Sequence, residues 1–368
     1  MVLIVKRREN TPPMSQANHQ HDVDGRIRVK FLLKHPMEVS LAWRRQLPDS
    51  APSWGRCEFC FDAQAREYDW LVVYDELPPQ GEELACPRSN TILVTAEPSS
   101  IKVYGSAYLE QFGAVLTGHE SWALQHPNKI THQPGLQWFV GRPHSDPSKP
   151  IRTYDQFVER AVDAGKTRTL STVCSNKRMG HTLHATRYDF VQLAKAEIPE
   201  MDVFGHGVRP IEDKAEALDA YRYHLAIENH QAPHHITEKL TDTFLAGALP
   251  FYFGATRAAD YFPADSFIPI DIRKPHEAIA TIQRAIQEDQ YTKRIDAIHE
   301  AKRRVLEEQN LFAILAHQID RLDTGKRGSD GSKLINRRVF RRRHPIGALR
   351  YLAERYRVLA RAKRESGV

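Results

Sequence analysis

Apolar positions in the first part of the chain either alternate with polar ones or gather in short runs. Residues 26–33 (RIRVKFLL) alternate as a half-buried strand does. Residues 70–74, 91–95 and 114–117 are short apolar runs bounded by polar or turn-forming residues, and predict three more strands. Beyond residue 150 the pattern becomes a regular succession. Strands are expected at 169–174, 202–204, 224–227, 250–253 and 266–270. Helices are expected at 181–196, 237–248, 276–288 and from 291 to about 322. Alternating strands and helices argue for a parallel α/β sheet, whose ligands bind beyond the carboxyl ends of its strands. A final helix is expected from Pro345, with Ile346, Leu349, Leu352, Tyr356 and Leu359 on one stripe.

A chain of 368 residues suggests two domains. Residues 1–25 are polar and read as a disordered arm. The Pro/Ser/His-rich stretch 143–150 divides an N-terminal α/β domain (26–150) from a second one (151–325), and 326–368 form a basic tail. The net charge of +6 is unevenly spread: residues 333–368 carry +10, so the remainder sums to −4. The high isoelectric point therefore belongs to the tail. A nucleic-acid-binding protein is the alternative class that this tail raises. Against it, the basic segment lacks interleaved base-stacking aromatics and the body is acidic. No apolar run reaches the ~18 residues of a membrane span. The apolar start at residues 1–5 is interrupted by Lys6, Arg7 and Arg8, the wrong order for a signal peptide, so a cytoplasmic location is expected. Cys57 and Cys60 form a lone CxxC pair without a second pair to complete a zinc site.

The chemistry concentrates between Tyr221 and Gly254. An apolar strand ends in Glu228 and Asn229, a loop with Pro233 follows, and a helix opens near Thr237 with Glu238 and Lys239 in its first turn. A helix N-terminus presents unpaired N–H groups and the positive end of the dipole, a ready anion site. A lysine there is electrostatically misplaced unless an anion sits opposite it. A nucleoside diphosphate would supply that anion. His230, His234 and His235 lie on a loop without a carboxylate partner in sequence, so a structural role is favoured over a metal site.

The pattern Ile227-Glu-Asn229, Ile236-Thr-Glu-Lys-Leu240, Ala246-Gly-Ala-Leu-Pro250 and Gly254, with Asp260-Tyr-Phe262 and Ser266-Phe-Ile268 downstream, resembles the donor-site signature of glycosyltransferase family 10, the α-1,3/4-fucosyltransferases. The close match covers roughly 169–275. The resemblance implies a GT-B architecture: two Rossmann-like domains facing a cleft, and inverting transfer of fucose from GDP-fucose to a glycan acceptor bearing GlcNAc or Gal. Another GDP-sugar is the alternative donor. It further implies that Glu238 bonds the ribose hydroxyls, that Lys239 neutralises the diphosphate and that Asn229, beside Glu228, lies at the nucleotide-sugar site. Arg187, after Ser175-Asn176, would grip the diphosphate, with Arg178 as a rival. His235 stands where an aromatic is common. The family's base, a Glu in a short segment after an N-domain strand, maps to Glu97 in Ala96-Glu97-Pro98-Ser99. Asp75 and Glu76 are rivals. No metal cofactor is required on this reading, since the one Asp-x-Asp triplet (Asp22, Asp24) precedes the first strand; stimulation by Mn or Mg stays open. Residues 333–368 are expected to contact an anionic membrane surface peripherally, and no nucleic acid is expected as a partner.

Overall fold

A computed structural model describes residues 25–34, 40–145, 149–176 and 183–366. The expected arm, the Asp22/Asp24 triplet and Arg178 fall outside the described residues.

The N-terminal half contains β1 (Ile27–Leu33), β2 (Ser53–Trp54), β3 (Cys57–Cys60), β4 (Trp70–Tyr74), β5 (Glu82–Glu83), β6 (Thr91–Val94), β7 (Ala114–Thr117) and β8 (Lys129–Thr131). Seven of these form one sheet in the order β2-β3-β1-β4-β6-β7-β8, parallel except for β2. The C-terminal half contains β9 (Arg168–Val173), β10 (Asp202–Phe204), β11 (Tyr221–Ile227), β12 (Leu249–Phe253) and β13 (Ile268–Pro269). They form an all-parallel sheet in the order β10-β9-β11-β12-β13. Two Rossmann-like units thus face each other, the GT-B arrangement. Strands β4, β6, β7, β11 and β12 are almost continuously buried, as strands covered on both faces must be.

The structure departs from the sequence reading in three places. The long helix expected over 291–322 is three helices: Gln290–Lys293, Ile295–Glu307 and Leu311–Leu322. Asn310 separates the last two by capping its helix, its side chain accepting from the Phe312 amide at 3.0 Å. The third helix, expected within the 151–325 domain, crosses back and completes the core of the N-terminal sheet. Phe312, Leu315 and Ile319 pack there against Phe31, Trp43, Phe59 and Trp70, with the Phe312 ring 4.9 Å from Phe59. In the opposite direction, Trp138 and Val140 join the core of the second unit ahead of the expected boundary at 143–150.

The third departure is the tail, which is part of the body. Strand β14 (Lys333–Leu334) pairs antiparallel with β5 and buries Leu334. Asn336 bonds the Leu77 carbonyl at 2.6 Å and Arg337 the Val103 carbonyl at 2.9 Å. On the helix Pro345–Ser366, Glu354 accepts from the Ser106 amide and hydroxyl, and Val358 and Ala362 are buried. The outer stripe stays in solvent: Ile346, Leu349, Leu352 and Tyr356 are 57–82% exposed. Burying Leu334 and Val358 is worth about 1.5–3 kcal/mol each. A protein ending at Gly331 is therefore expected to lose at least about 3 kcal/mol of stability. Urea unfolding of the two lengths checks this, and equal midpoints and slopes would contradict it.

Candidate functional site

Between the two sheets lies a cleft of about 840 Å³ whose walls include Tyr74, Asp75, Glu76 and Glu97 from the N-terminal unit. Glu228, Asn229, His230, His235, Thr237, Glu238 and Lys239 line it from the second unit. The N-terminal residues follow β4 and β6, and Glu228 follows β11, so both sheets present their carboxyl ends to the cleft.

The helix Glu238–Leu245 begins at the expected place, with Thr237 as its N-cap accepting from the Lys239 amide. Glu228 fixes this helix start. Its carboxylate accepts from the Thr237 hydroxyl at 2.7 Å and from the Thr237 amide at 3.0 Å, and it pairs with Lys239 Nζ at 3.2 Å. Only 1% of the Glu228 side chain is exposed, so its main work is bracing. Gly254, at the end of the motif, has its reason here: a Cβ would come within 2.4 Å of Glu228 Cγ.

Lys239 lies between two carboxylates, Glu228 and Glu238, the latter at 3.3 Å, and keeps 21% of its side chain exposed. Burial opposes its charge, yet Glu228 and Glu238 outweigh that and raise its pKa above the ordinary lysine value. Burial would likewise raise the Glu238 carboxyl, but Lys239 and Lys214 hold it well below the usual carboxylate range. The site is therefore charged on both residues at neutral pH. Lys214, which no sequence signal singled out, bridges Glu238 (3.5 Å) and the fully buried Asp242 (2.9 Å). Asp242 also accepts the Phe139 amide, tying this helix to the segment between the two sheets.

Arg187 sits on the helix His184–Glu197, and the first two residues of the expected span 181–196 lie outside the described residues. It is 94% buried and reaches a side cavity of about 160 Å³ that Glu238 and Lys239 also line. Its Nε and the Asn229 Oδ1 are buried without a hydrogen-bond partner among the described residues. Unpartnered buried polar atoms in a cavity are places where a polar ligand can bind. His235 lines the cleft, is 5% exposed, and has its pKa lowered to about 3 by burial and then by the neighbouring His230 and His119. It is neutral near pH 7 and offers a ring and hydrogen bonds, not charge, to a ligand.

Glu97 follows β6 and stands exposed to the cleft. No hydrogen bond or ion pair engages its carboxylate among the described residues. Partial burial in the cleft, then the negative charge of Asp75, raise its pKa above the usual value. Its rivals are engaged. Asp75, in the left-handed region at φ 65°, is held by Lys102 at 2.8 Å and by the Tyr104 hydroxyl. Glu76 lies within 3.5–3.7 Å of Lys34, Lys102 and Arg337.

Cys57 and Cys60 lie on β3, three residues apart and so on opposite faces of the strand. Among the described residues no group of three His, Cys, Asp or Glu side chains could hold a metal ion. None of the described helices is long and apolar enough to cross a membrane.

Comparison with known proteins covers the second unit's side of this cleft, which carries Arg187, Glu228, Glu238 and Lys239. Residues 164–295 match the model of the glycosyltransferase family 10 (fucosyltransferase) C-terminal domain. The 4-galactosyl-N-acetylglucosaminide 3-alpha-L-fucosyltransferase FUT5 of Hylobates lar is 24% identical over 60% of this chain and 67% of its own. The alpha-(1,3)-fucosyltransferase FucT of Helicobacter pylori is 32% identical over 20% of this chain and 16% of its own. A putative fucosyltransferase-like protein of Arabidopsis thaliana is 36% identical, with 14% of its length matched. Most such matches thus span well under two thirds of the relative. Among solved structures, an α1,3-fucosyltransferase with GDP-fucose aligns over 89% of this chain and 96% of its own, at 15% identity and a TM-score of 0.47. By the motif it carries and the model it matches, the segment that builds the Lys239 pocket belongs to glycosyltransferase family 10.

Proposed function

We propose that this protein transfers fucose from GDP-fucose to a hydroxyl of a glycan acceptor, with inversion at the anomeric carbon. The observation that carries the reading is the Lys239 helix start, with Arg187 beside it, facing an unengaged Glu97 across the cleft. The diphosphate would lie against Lys239 and Arg187, with the helix N-terminus adding its positive end. Glu238 would take the ribose hydroxyls, and Asn229 the sugar-side polar contact. The fucosyltransferase names of the relatives support this donor.

The chemistry then follows. Glu97 takes the proton of the acceptor hydroxyl as that oxygen forms its bond to the anomeric carbon. The bond from that carbon to the diphosphate oxygen breaks on the opposite face, and GDP leaves with the electron pair. Lys239 and Arg187 stabilise the charge that builds on GDP, work that a divalent cation performs elsewhere. No metal is assigned a step, and Mn or Mg stimulation is an outcome that the assay can read. Release of GDP from a panel of GDP-sugars, with GlcNAc- and Gal-terminated acceptors, tests the proposal. GDP-fucose should be the preferred donor; turnover of another GDP-sugar with none of GDP-fucose would reassign it.

The exposed stripe Ile346, Leu349, Leu352 and Tyr356, flanked by the arginines of 333–368, supports peripheral contact with an anionic membrane at the cytoplasmic face. Each Lys or Arg near such a surface contributes about 1 kcal/mol. No role toward nucleic acid is assigned to the tail. The protein should sediment with phosphatidylglycerol-rich vesicles at low salt and release at high salt. Replacing Leu349 and Leu352 by Ser should weaken this without loss of stability, because both side chains already face water. Equal sedimentation of variant and parent would remove the stripe from the contact.

A further inference from the structure

A second cavity, of about 580 Å³, lies between the N-terminal unit and the tail helix Pro345–Ser366. It shares one chain segment with the cleft: Ile101 lines the cleft, and Tyr104, Gly105 and Ser106 line this groove. Three residues of chain span at most about 11 Å, so the two are neighbours. Tyr104 connects them directly, since its hydroxyl bonds Asp75 on the cleft wall.

The groove's chemistry is distinctive. Arg350, Arg357, Arg361 and Arg364 line it, against Glu354 alone among acidic residues of its lining. Their spacings of seven, four and three residues place them in one row along the helix. Glu354 is already engaged by Ser106 and by Arg350 Nε at 3.1 Å. The row lies between the face that packs on the body, marked by Val358 and Ala362, and the outer apolar stripe. Trp122 and Tyr356 add aromatic faces, and Arg361 stacks on Trp122 with its guanidinium 4.6 Å from the ring centroid. Guanidinium groups suit phosphate, sulfate and carboxylate geometry, and aromatic faces suit the C–H faces of sugar rings. Arg350 already meets Glu354 and Glu110 at 3.1 and 3.9 Å, whereas among the described residues the lining offers Arg357 and Arg364 no further carboxylate.

We propose that this groove binds an anionic substituent, a phosphate, sulfate or carboxylate, on the acceptor glycan, at a short distance from the hydroxyl that reacts in the cleft. The inference rests on the transferase reading for the word acceptor, but its test does not. Calorimetry at low salt with a sulfated heparin tetrasaccharide, and with maltotetraose as a neutral comparison, is the measurement. The sulfated probe should bind and the neutral one should bind at least about tenfold more weakly, since each charge-assisted contact is worth roughly that factor. The double variant Arg357→Glu/Arg364→Glu should lose the probe by a similar factor while keeping the parent's affinity for GDP. The variant Arg342→Glu/Arg343→Glu, with the same charge change outside the groove, should keep the probe. Equal loss in both variants, or equal binding of both saccharides, would overturn the proposal. So would binding of anionic vesicles through Arg357 and Arg364 with no saccharide binding, which assigns the row to a membrane surface. Failure of the parent to bind GDP would instead count against the transferase reading and leaves these arms readable.

Discussion

Replacing Lys239 by Ala is expected to abolish measurable transfer and to weaken GDP binding by about 10- to 100-fold, the loss of one charge-assisted partner worth ~1.5–3 kcal/mol. Two further effects act in the same direction. The ammonium lies between Glu228 and Glu238, at 3.2 and 3.3 Å, so its removal turns a balanced site into two carboxylates facing an incoming diphosphate. Glu228 is also nearly fully buried, and a buried carboxylate without its cation is costly. Lys239→Arg separates these effects, because it keeps the charge while changing the shape; it should keep part of the GDP affinity. Arg187→Ala should also weaken GDP while leaving the Glu228 brace untouched. Titration calorimetry with GDP, on variants whose circular dichroism matches the parent, is the check. Unchanged affinity in Lys239→Ala would remove Lys239 from the donor site.

Glu97→Gln is expected to produce the opposite separation. It preserves shape and polarity, so GDP affinity should stay at the parent's value while kcat falls by ~10²–10⁴-fold. The raised pKa also has a signature. A base works only when deprotonated, so the parent's kcat/KM should fall as pH drops through the Glu97 pKa, at a higher pH than an ordinary glutamate would give. That acidic limb should be missing from the residual activity of Glu97→Gln. If the variant turns over like the parent, the base lies elsewhere. Asp75 would then have to give up Lys102 and the Tyr104 hydroxyl to serve.

Much of the Lys239 pocket's local geometry was legible because its residues lie close together in sequence. Glu228, Thr237, Glu238 and Lys239 belong to one strand–loop–helix unit, and a helix start with a lysine in its first turn carries its own electrostatic signal. Residues that reach the site from afar left no such mark. Lys214 acts on Glu238 and Asp242 from 24 and 28 positions away, and nothing in its neighbours distinguishes it from a surface lysine. Asp242 was hidden for a different reason: a polar residue inside a helix reads as its solvent face, whereas here every residue from Leu240 to Leu245 is buried. The strands followed from their apolar runs, except β2, β3, β5, β8 and β14, which are too brief to show a period. The tail's helix and its stripe were readable, but its attachment was not. Leu334 pairs with Glu82, Asn336 meets Leu77, and Arg337 meets Glu76 and Val103, all across more than 230 positions, and such contacts leave no local pattern.

The crossing helix Leu311–Leu322 also constrains how this protein can be made. Synthesis runs from the N-terminus, so strands β1 to β8 emerge from the ribosome long before the side chains of Phe312, Leu315 and Ile319 that cover one face of their sheet. Until then Phe31, Trp43, Phe59 and Trp70 have one another and nearby rings such as Phe61 and Tyr74, but lack the Phe312, Leu315 and Ile319 side chains that close their outer face. The first unit cannot finish folding while it is the only part available; it has to wait, with an apolar face open, for nearly the whole second unit to be translated. Chains stalled or cut ahead of residue 311 are thus expected to be substrates for chaperones and proteases, even though they contain every strand of the first sheet.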